Sequence, residues 1–432
     1  MKIKHKILDY GRVIAMKKEK YLLPRRPSPF FRKLLAILSA GELRATDFSV
    51  KKIGMEKLSA DQPCMILMNH SAFIDLKIAA TVFADRPFNI VCTSDGFVGK
   101  RWLMYRLGCI PTNKFVSDFR LVRNIAYTIR QNRCSVLMYP EASYSFDGKA
   151  TPLPDTVGKC LKMLGVPVIM VRTYGAFLHD PLYNGLRQRK VKVSAEVEYL
   201  LSPEDLKSMD ASEIGETVNR QFDFDNFRWQ RDNNIRVDAD FRAQGLERVL
   251  YKCPSCKAEG ETVGVGDTLV CKKCGKKYFL TETGEIRAVE GGTEIDHIPD
   301  WFEWERECVK NEIELGTYLL DIPVRIMMMV NSKSIYEVGS GRLVHRSDGF
   351  ELTGCDGRLV YRQRPDHSYS LYSDYFWYEI GDMICIGDQD KLFYCFPEEG
   401  SGNVVAKTRL AVEELYKRCR AATVGKAKAA AR

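Results

Sequence analysis

The 432-residue chain contains no run of 18 or more apolar residues, which argues against a transmembrane helix. Its first residues, MKIKHKILDYGRVIAMKKEKY, lack both the apolar core and the small-residue cleavage site of a secretory signal. No internal repeat is present, and no low-complexity stretch beyond an Ala/Lys tail. The last 16 residues lack acidic side chains altogether while carrying 6 basic ones. What is present is ordinary for a globular protein: 45% hydrophobic, 28% charged and 11% aromatic residues, which excludes wholesale disorder. The length suggests two or three units, each able to bury a core. Fourteen cysteines are spread along the chain, four of them in two CxxC pairs, which fits a reducing cytosol with a metal site better than a disulfide framework.

The net charge of +9 is unevenly placed: residues 1 to 60 hold 15 Lys and Arg against 5 Asp and Glu. Such an excess calls for an anionic partner, nucleic acid or a membrane surface. Phe30, Phe31, Leu34, Leu35 and Leu38 fall at helical spacing with Arg32 and Lys33 beside them, the pattern of a helix lying in the headgroup layer. A helix packed on its own domain, with solvated charges, is the other reading. From about 61 to 200 buried-strand runs (64–68, 89–92, 135–139, 166–171) alternate with helical stretches such as 118–132 and 155–164, an α/β layer architecture. A polar, aromatic helical arm follows at 203–249, a cysteine module at 250–282 and a helical linker at 283–322. Short strands with turn signals fill 323–421 and close on an amphipathic helix, and a basic tail occupies 422–432.

The chemistry concentrates in Asn69-His70-Ser71-Ala72-Phe73-Ile74-Asp75, at a strand-to-helix junction. A carboxylate one turn into the helix can accept the Nδ1 hydrogen of His70 and leave Nε2 free as a general base. No serine accompanies the pair, because the nucleophile would be the substrate's own hydroxyl. A histidine capping the helix beside an ordinary surface carboxylate is the bland alternative.

Four ordered blocks around this pair resemble the glycerolipid acyltransferases of lysophosphatidic acid type. The first is Asn69, His70 and Asp75. The second is Gly108-Cys109-Ile110-Pro111-Thr112-Asn113-Lys114, with Lys114 where the family more often has Arg. The third is Tyr139-Pro140-Glu141-Ala142-Ser143-Tyr144-Ser145, where Ala142 replaces a glycine and Tyr144 an arginine. The fourth is Val166-Pro167-Val168-Ile169-Met170-Val171. The resemblance implies a mixed sheet flanked by helices over 46–202, preceded by a membrane-contact region over 1–45. It implies acyl transfer from an acyl-CoA or acyl-carrier-protein thioester to a lysophospholipid hydroxyl, with His70 as base and Asp75 orienting it. A helix N-terminus after His70 would supply donors to the oxyanion. Lys114, Glu141, Ser143, Lys100 and Lys149 are the candidate acceptor-binding residues. With an Arg fork replaced by a Tyr hydroxyl, phosphate binding must lean on lysines or Arg101. The expected location is peripheral, on the cytoplasmic face of a membrane.

Cys253-Pro254-Ser255-Cys256 and Cys271-Lys272-Lys273-Cys274 supply four thiolates for a closed, structural Zn²⁺ site of zinc-ribbon or rubredoxin-like type, iron being the alternative metal and a redox CxxC the alternative chemistry. Lysines 252, 257, 272, 273, 276 and 277 would offset the thiolate charge. The module lacks the aromatic–basic interleaving of a nucleic-acid reader. The C-terminal strands and helix resemble a pleckstrin-homology-like barrel, with a plain β-sandwich as the alternative. A degenerate acyltransferase fold serving as a membrane-bound adaptor is the competing functional reading, motivated by the altered third block.

Overall fold

The computed structural model describes residues 3–17, 19–116 and 118–430, with side chains placed as far as Thr423. Most of the basic tail expected from 422 therefore lies outside the described side chains. Three sheets are present among the described residues.

The first has seven strands in the spatial order Ser49–Ile53, Ser194–Leu201, Val168–Tyr174, Met65–Met68, Ser135–Met138, Phe88–Thr93 and Cys109–Thr112. The last five run parallel. Ser194–Leu201 is antiparallel to its neighbour Val168–Tyr174, which makes the sheet mixed. The alternation of side chains along a strand explains why Met65–Met68 reads as a continuous apolar run. Met65 and Leu67 pack on one face with Ile125, Ile129, Val157 and Leu161. Ile66 and Met68 pack on the other with Leu43, Ile74 and Ile78. Both faces of the sheet are covered, so every residue of this strand is buried.

The helix Pro29–Ala45 runs beside the helix Asp75–Val82, yet it buries only Ser39 and Leu43. Phe30 (68% exposed), Ile37 and Leu38 face outward. The arm contains the helices Pro203–Ser208, Ala211–Phe222 and Asn226–Asp232. Ala211–Phe222 approaches the helix Val157–Leu164 so closely that a Cβ on Gly158 would lie 2.0 Å from the Ala211 carbonyl oxygen, so only glycine fits there.

The cysteine module is a four-stranded antiparallel sheet, Thr262–Val265, Thr268–Cys271, Lys277–Leu280 and Ile286–Ala288. It is tied to the helix Ile298–Glu314: Trp301 Nε1 donates to the Lys252 carbonyl at 2.9 Å, and Lys252 N donates to Glu305 Oε1 at 2.8 Å.

The third sheet orders its C-terminal strands as Leu359–Gln363, Gly349–Gly354, Ile335–Arg346, Leu320–Met329, Leu392–Pro397, Gly381–Gly387 and Tyr372–Trp377, all antiparallel, and the helix Val404–Ala430 follows. The strand His5–Ile7 adds to it in parallel beside Ile335–Glu337, and Tyr10 and Val13 join its core. The basic N-terminal segment is thus divided between two sheets: its first part stitches to the C-terminal strands, and only Pro29–Ala45 lies on the first sheet's layer. One apolar cluster runs from Tyr10 through Phe146, Tyr251 and Trp301 to Leu415, so the arm, the cysteine module and the C-terminal strands share a core. His345 is buried there, bonded through Nδ1 to the Tyr318 hydroxyl and stacked on Phe350, a structural histidine and not a surface one.

The C-terminal sheet docks on the first through Asp95, which follows the strand Phe88–Thr93. Its Oδ2 accepts from the Tyr372 hydroxyl (2.5 Å), Trp377 Nε1 (3.3 Å) and the Tyr394 hydroxyl (3.4 Å). Val98 and Phe115 pack into the same apolar cluster as Met327, Tyr372 and Trp377.

Candidate active site

Parallel strands bring their carboxyl ends to one edge of a sheet, and that edge is where side chains from several loops can converge. Three of the four blocks leave the sheet there. His70 follows Met65–Met68, the Tyr139–Lys149 loop follows Ser135–Met138, and Lys114 follows Cys109–Thr112.

Asp75 opens its helix fully buried. A single oxygen, Oδ2, accepts from His70 Nδ1 at 3.2 Å, Ser71 N at 2.7 Å and Ala72 N at 3.0 Å. The carboxylate therefore closes the 70–75 loop and fixes the imidazole at once. With Nδ1 donating, the lone pair sits on Nε2, which bonds no described residue. The Tyr139 ring stacks on the imidazole at 4.0 Å between centroids, and Tyr144 covers it at 4.3 Å. The His70 side chain keeps 19% of its surface accessible, so the ring is sheltered but reachable. Burial lowers its pKa below the ordinary value, with Asp75 opposing and the Lys114 charge adding to the drop. The imidazole is neutral at pH 7, as a base must be.

The main chain of His70 is held as firmly as its ring. Its N–H donates to Glu141 Oε1 at 2.9 Å, and its carbonyl accepts from Ser145 N at 3.0 Å. Asn69 before it bonds Thr173 on the adjacent strand through both ends of its amide. Glu141 Oε2 accepts from Thr151 N at 2.9 Å, so each of its carboxyl oxygens holds a backbone N–H. Burial pushes the Glu141 carboxyl up to about 8. Glu141 is therefore a bracket between the first and third blocks. Ala142 adopts φ +56°, the left-handed region where a Cβ is strained, in a turn closed by its N–H to the Tyr139 carbonyl.

The expected oxyanion donors at the helix start are not free. Ser71 N and Ala72 N are taken by Asp75, and Phe73 N donates to Asp180 Oδ2 at 3.1 Å. Asp180 is buried, and burial raises its pKa to about 8. No sequence pattern singled it out; it enters the site from the strand-following helix Ala176–His179.

The lysines separate. Lys114 lies closest in effect: its charge acts on His70, and its ammonium sits 4.5 Å from the Tyr372 ring centroid. Burial lowers its pKa, opposed by Asp374 and Asp95. Lys100 is half-buried on the Asp95 side. Lys149 is exposed at the far end of its loop, and the Ser143 hydroxyl turns to the Tyr144 carbonyl at 3.2 Å. The Acyltransferase family model matches residues 49–173, a span holding all four blocks.

Residues 49–173 form an acyltransferase-family domain.

A chloroplastic 1-acyl-sn-glycerol-3-phosphate acyltransferase of Brassica napus is 25% identical over 151 residues, covering 34% of this chain. The match spans 42% of that relative's length. A solved structure, the 1-acyl-sn-glycerophosphate (LPA) acyltransferase PlsC from Thermotoga maritima, aligns at 17% identity and a TM-score of 0.35, covering 44% of this chain and 76% of that one.

Outside the acyltransferase domain, the Sγ atoms of Cys253, Cys256, Cys271 and Cys274 all lie within 4.8 Å of one another. Cys253 and Cys274 are 3.8 Å apart, and Cys256 and Cys271 3.7 Å. Sulfurs at about 2.3 Å from a tetrahedral Zn²⁺ stand about 3.8 Å from each other, so the donor set fits. Each knuckle ends in a left-handed residue, Lys257 at φ +64° and Gly275 at φ +74°. The N–H of each bonds back to the first cysteine's carbonyl at 2.9 Å. The surrounding lysines are less available to the thiolates than their number suggests, since Lys252 pairs with Glu259 and Lys276 with Glu294.

Proposed function

We propose that this protein moves a fatty acyl group from an acyl-CoA or acyl-carrier-protein thioester to a hydroxyl of a lysophospholipid. The observation that carries the reading is the convergence of His70 Nδ1 on buried Asp75 with Nε2 left unbonded at the carboxyl edge of the sheet. A hydroxyl has a pKa far above 7 and attacks a thioester only as its proton leaves. Nε2 takes that proton while the new C–O bond forms. Asp75 stabilises the resulting imidazolium, and the proton then goes to the departing thiolate as the C–S bond breaks. Such assistance contributes about 10²–10⁴-fold. No metal takes part in this step; the four cysteines would hold Zn²⁺, or iron, as a structural centre.

The outward apolar residues Phe30, Ile37 and Leu38, with Trp102 nearby through the Phe31 ring at 5.8 Å, support peripheral contact with a membrane, on its cytoplasmic face. No described helix is long and apolar enough to cross a membrane. The strand order of the C-terminal sheet and its closing helix support the pleckstrin-homology-like reading of that region. Its packing over Lys114 and Ala142, together with the altered third block, is what favours an adaptor instead.

The test is direct. Purified protein in detergent is given radiolabelled oleoyl-CoA or oleoyl-acyl-carrier protein with a panel of lysophospholipids, and a diacyl product is expected with at least one acceptor. Vesicle binding that depends on Phe30, Ile37 and Leu38, without product from any acceptor, would establish the adaptor.

A further inference from the structure

Two aromatic rings flank the imidazole of His70. Tyr139 stacks on it at 4.0 Å with an interplanar angle of 22°, and Tyr144 lies at 4.3 Å, tilted by 44°. Neither ring is loose. Tyr139 packs with the apolar cluster that holds Ile74 and Ile78, and Tyr144 with the cluster that holds Phe146 and Phe177. The main chain around Tyr144 is tied as well: its carbonyl accepts from the Ser143 hydroxyl at 3.2 Å, and the next N–H donates to the His70 carbonyl at 3.0 Å. A ring face carries negative potential and a phenol hydroxyl is a single neutral donor, so this enclosure offers little to an anion. Asp75 adds a negative charge across the imidazole from Nε2.

Basic side chains around the site are engaged elsewhere. The Lys114 ammonium lies 4.5 Å from the Tyr372 ring centroid, on the C-terminal sheet. Arg101 pairs with Glu19 at 3.5 Å and donates to the Lys20 carbonyl at 2.7 Å. Lys77 pairs with Glu42 and lies 5.2 Å over the Phe73 ring, and Lys149 is exposed at the far end of its loop. A phosphate monoester carries nearly two negative charges at neutral pH, whereas a phosphodiester carries one. A charge brought out of water needs a counter-charge or hydrogen-bond donors in return. Between the Tyr144 ring and the Asp75 carboxylate, the second charge of a monoester meets neither.

We propose that Tyr144 is a specificity-determining residue, which turns the site toward lysophospholipids with a phosphodiester headgroup and away from lysophosphatidate. A cation placed at position 144 would stand beside the same imidazole and meet the second charge of a monoester. That the bound lipid is an acceptor rests on the acyl-transfer reading; the discrimination between headgroups does not.

Equilibrium binding to the full chain in detergent tests this with three lipids of one acyl chain: 1-oleoyl-lysophosphatidate, 1-oleoyl-lysophosphatidylcholine and 1-oleoyl-lysophosphatidylglycerol. Wild type is expected to bind both phosphodiesters at least about tenfold more tightly than lysophosphatidate. Tyr144→Phe, which keeps the ring, should keep that ratio, and Tyr144→Arg or Tyr144→Lys should bring it to one or below. Equal or tighter binding of lysophosphatidate by wild type overturns the proposal. So does a preference for the choline lipid alone, or a ratio unmoved in a folded cationic variant. If neither cationic variant folds, the wild-type ratio decides. Diacyl product is read in the same samples with oleoyl-CoA: the expected ratio without product from any lipid keeps the headgroup discrimination and removes only the acyl-transfer reading.

Discussion

Replacing Asp75 separates two roles that this carboxylate combines. All three of its hydrogen bonds converge on Oδ2. In Asp75→Asn the amide oxygen can occupy that place, so Ser71 N, Ala72 N and the His70 tautomer are all kept, while the charge is lost and the amide nitrogen takes the buried, unpartnered place of Oδ1. In Asp75→Ala the two buried N–H groups lose their acceptor as well. Leaving a buried donor unpaired costs about 1–3 kcal/mol, so the alanine variant should lose about 2–5 kcal/mol of stability while the asparagine variant stays within about 1–2 kcal/mol of wild type. The charge matters most when the imidazolium forms. At 3.2 Å and an effective dielectric of about 20, the attraction is about 5 kcal/mol, an upper bound on the transition-state loss. Turnover in Asp75→Asn should therefore fall by about 10²–10³-fold with little change in melting temperature, measured by thiol release from oleoyl-CoA alongside thermal unfolding. An Asp75→Asn variant that keeps a third or more of wild-type turnover would refute the orienting role, as would equal destabilisation of the two variants.

Two further outcomes follow from local geometry. Metal analysis of the purified chain should find one Zn²⁺ or iron per molecule, and chelation or Cys253→Ser should lower the melting temperature; a metal-free protein of unchanged stability would contradict the four-thiolate centre. Ala142 occupies a left-handed position at φ +56°, so Ala142→Gly should stabilise the protein by up to about 1 kcal/mol in denaturant unfolding, after the extra chain entropy of glycine; a loss of stability would show the turn is not strained.

The central strands and the His70–Asp75 junction were legible because their signals are local. Met65–Met68 is buried on both faces and reads as apolar throughout, and the dyad residues stand five positions apart. The edge strand Ser49–Ile53 carries Lys51 and Lys52 on an exposed surface and gives no such run. Ser194–Leu201 alternates buried and half-buried residues, the pattern of an antiparallel strand with one covered face. The bracing contacts of Glu141 were not legible because its two donors are backbone N–H groups, at positions 70 and 151, which no side-chain pattern reveals. The docking of the C-terminal sheet joins Asp95 to Tyr372 across 277 positions, beyond the reach of any periodicity.

The pH dependence of thioester turnover, measured for wild type and for His70→Ala, bears most directly on the claim that this imidazole is the base. Burial depresses the His70 pKa, so the ring is protonated and inactive only in acid. Wild-type kcat/KM should climb tenfold per pH unit to a break below about 6.5 and stay level through neutrality, and His70→Ala should lose about 10²–10⁴-fold along with that break. Turnover by His70→Ala at the wild-type rate, or a break unchanged by the substitution, would contradict it.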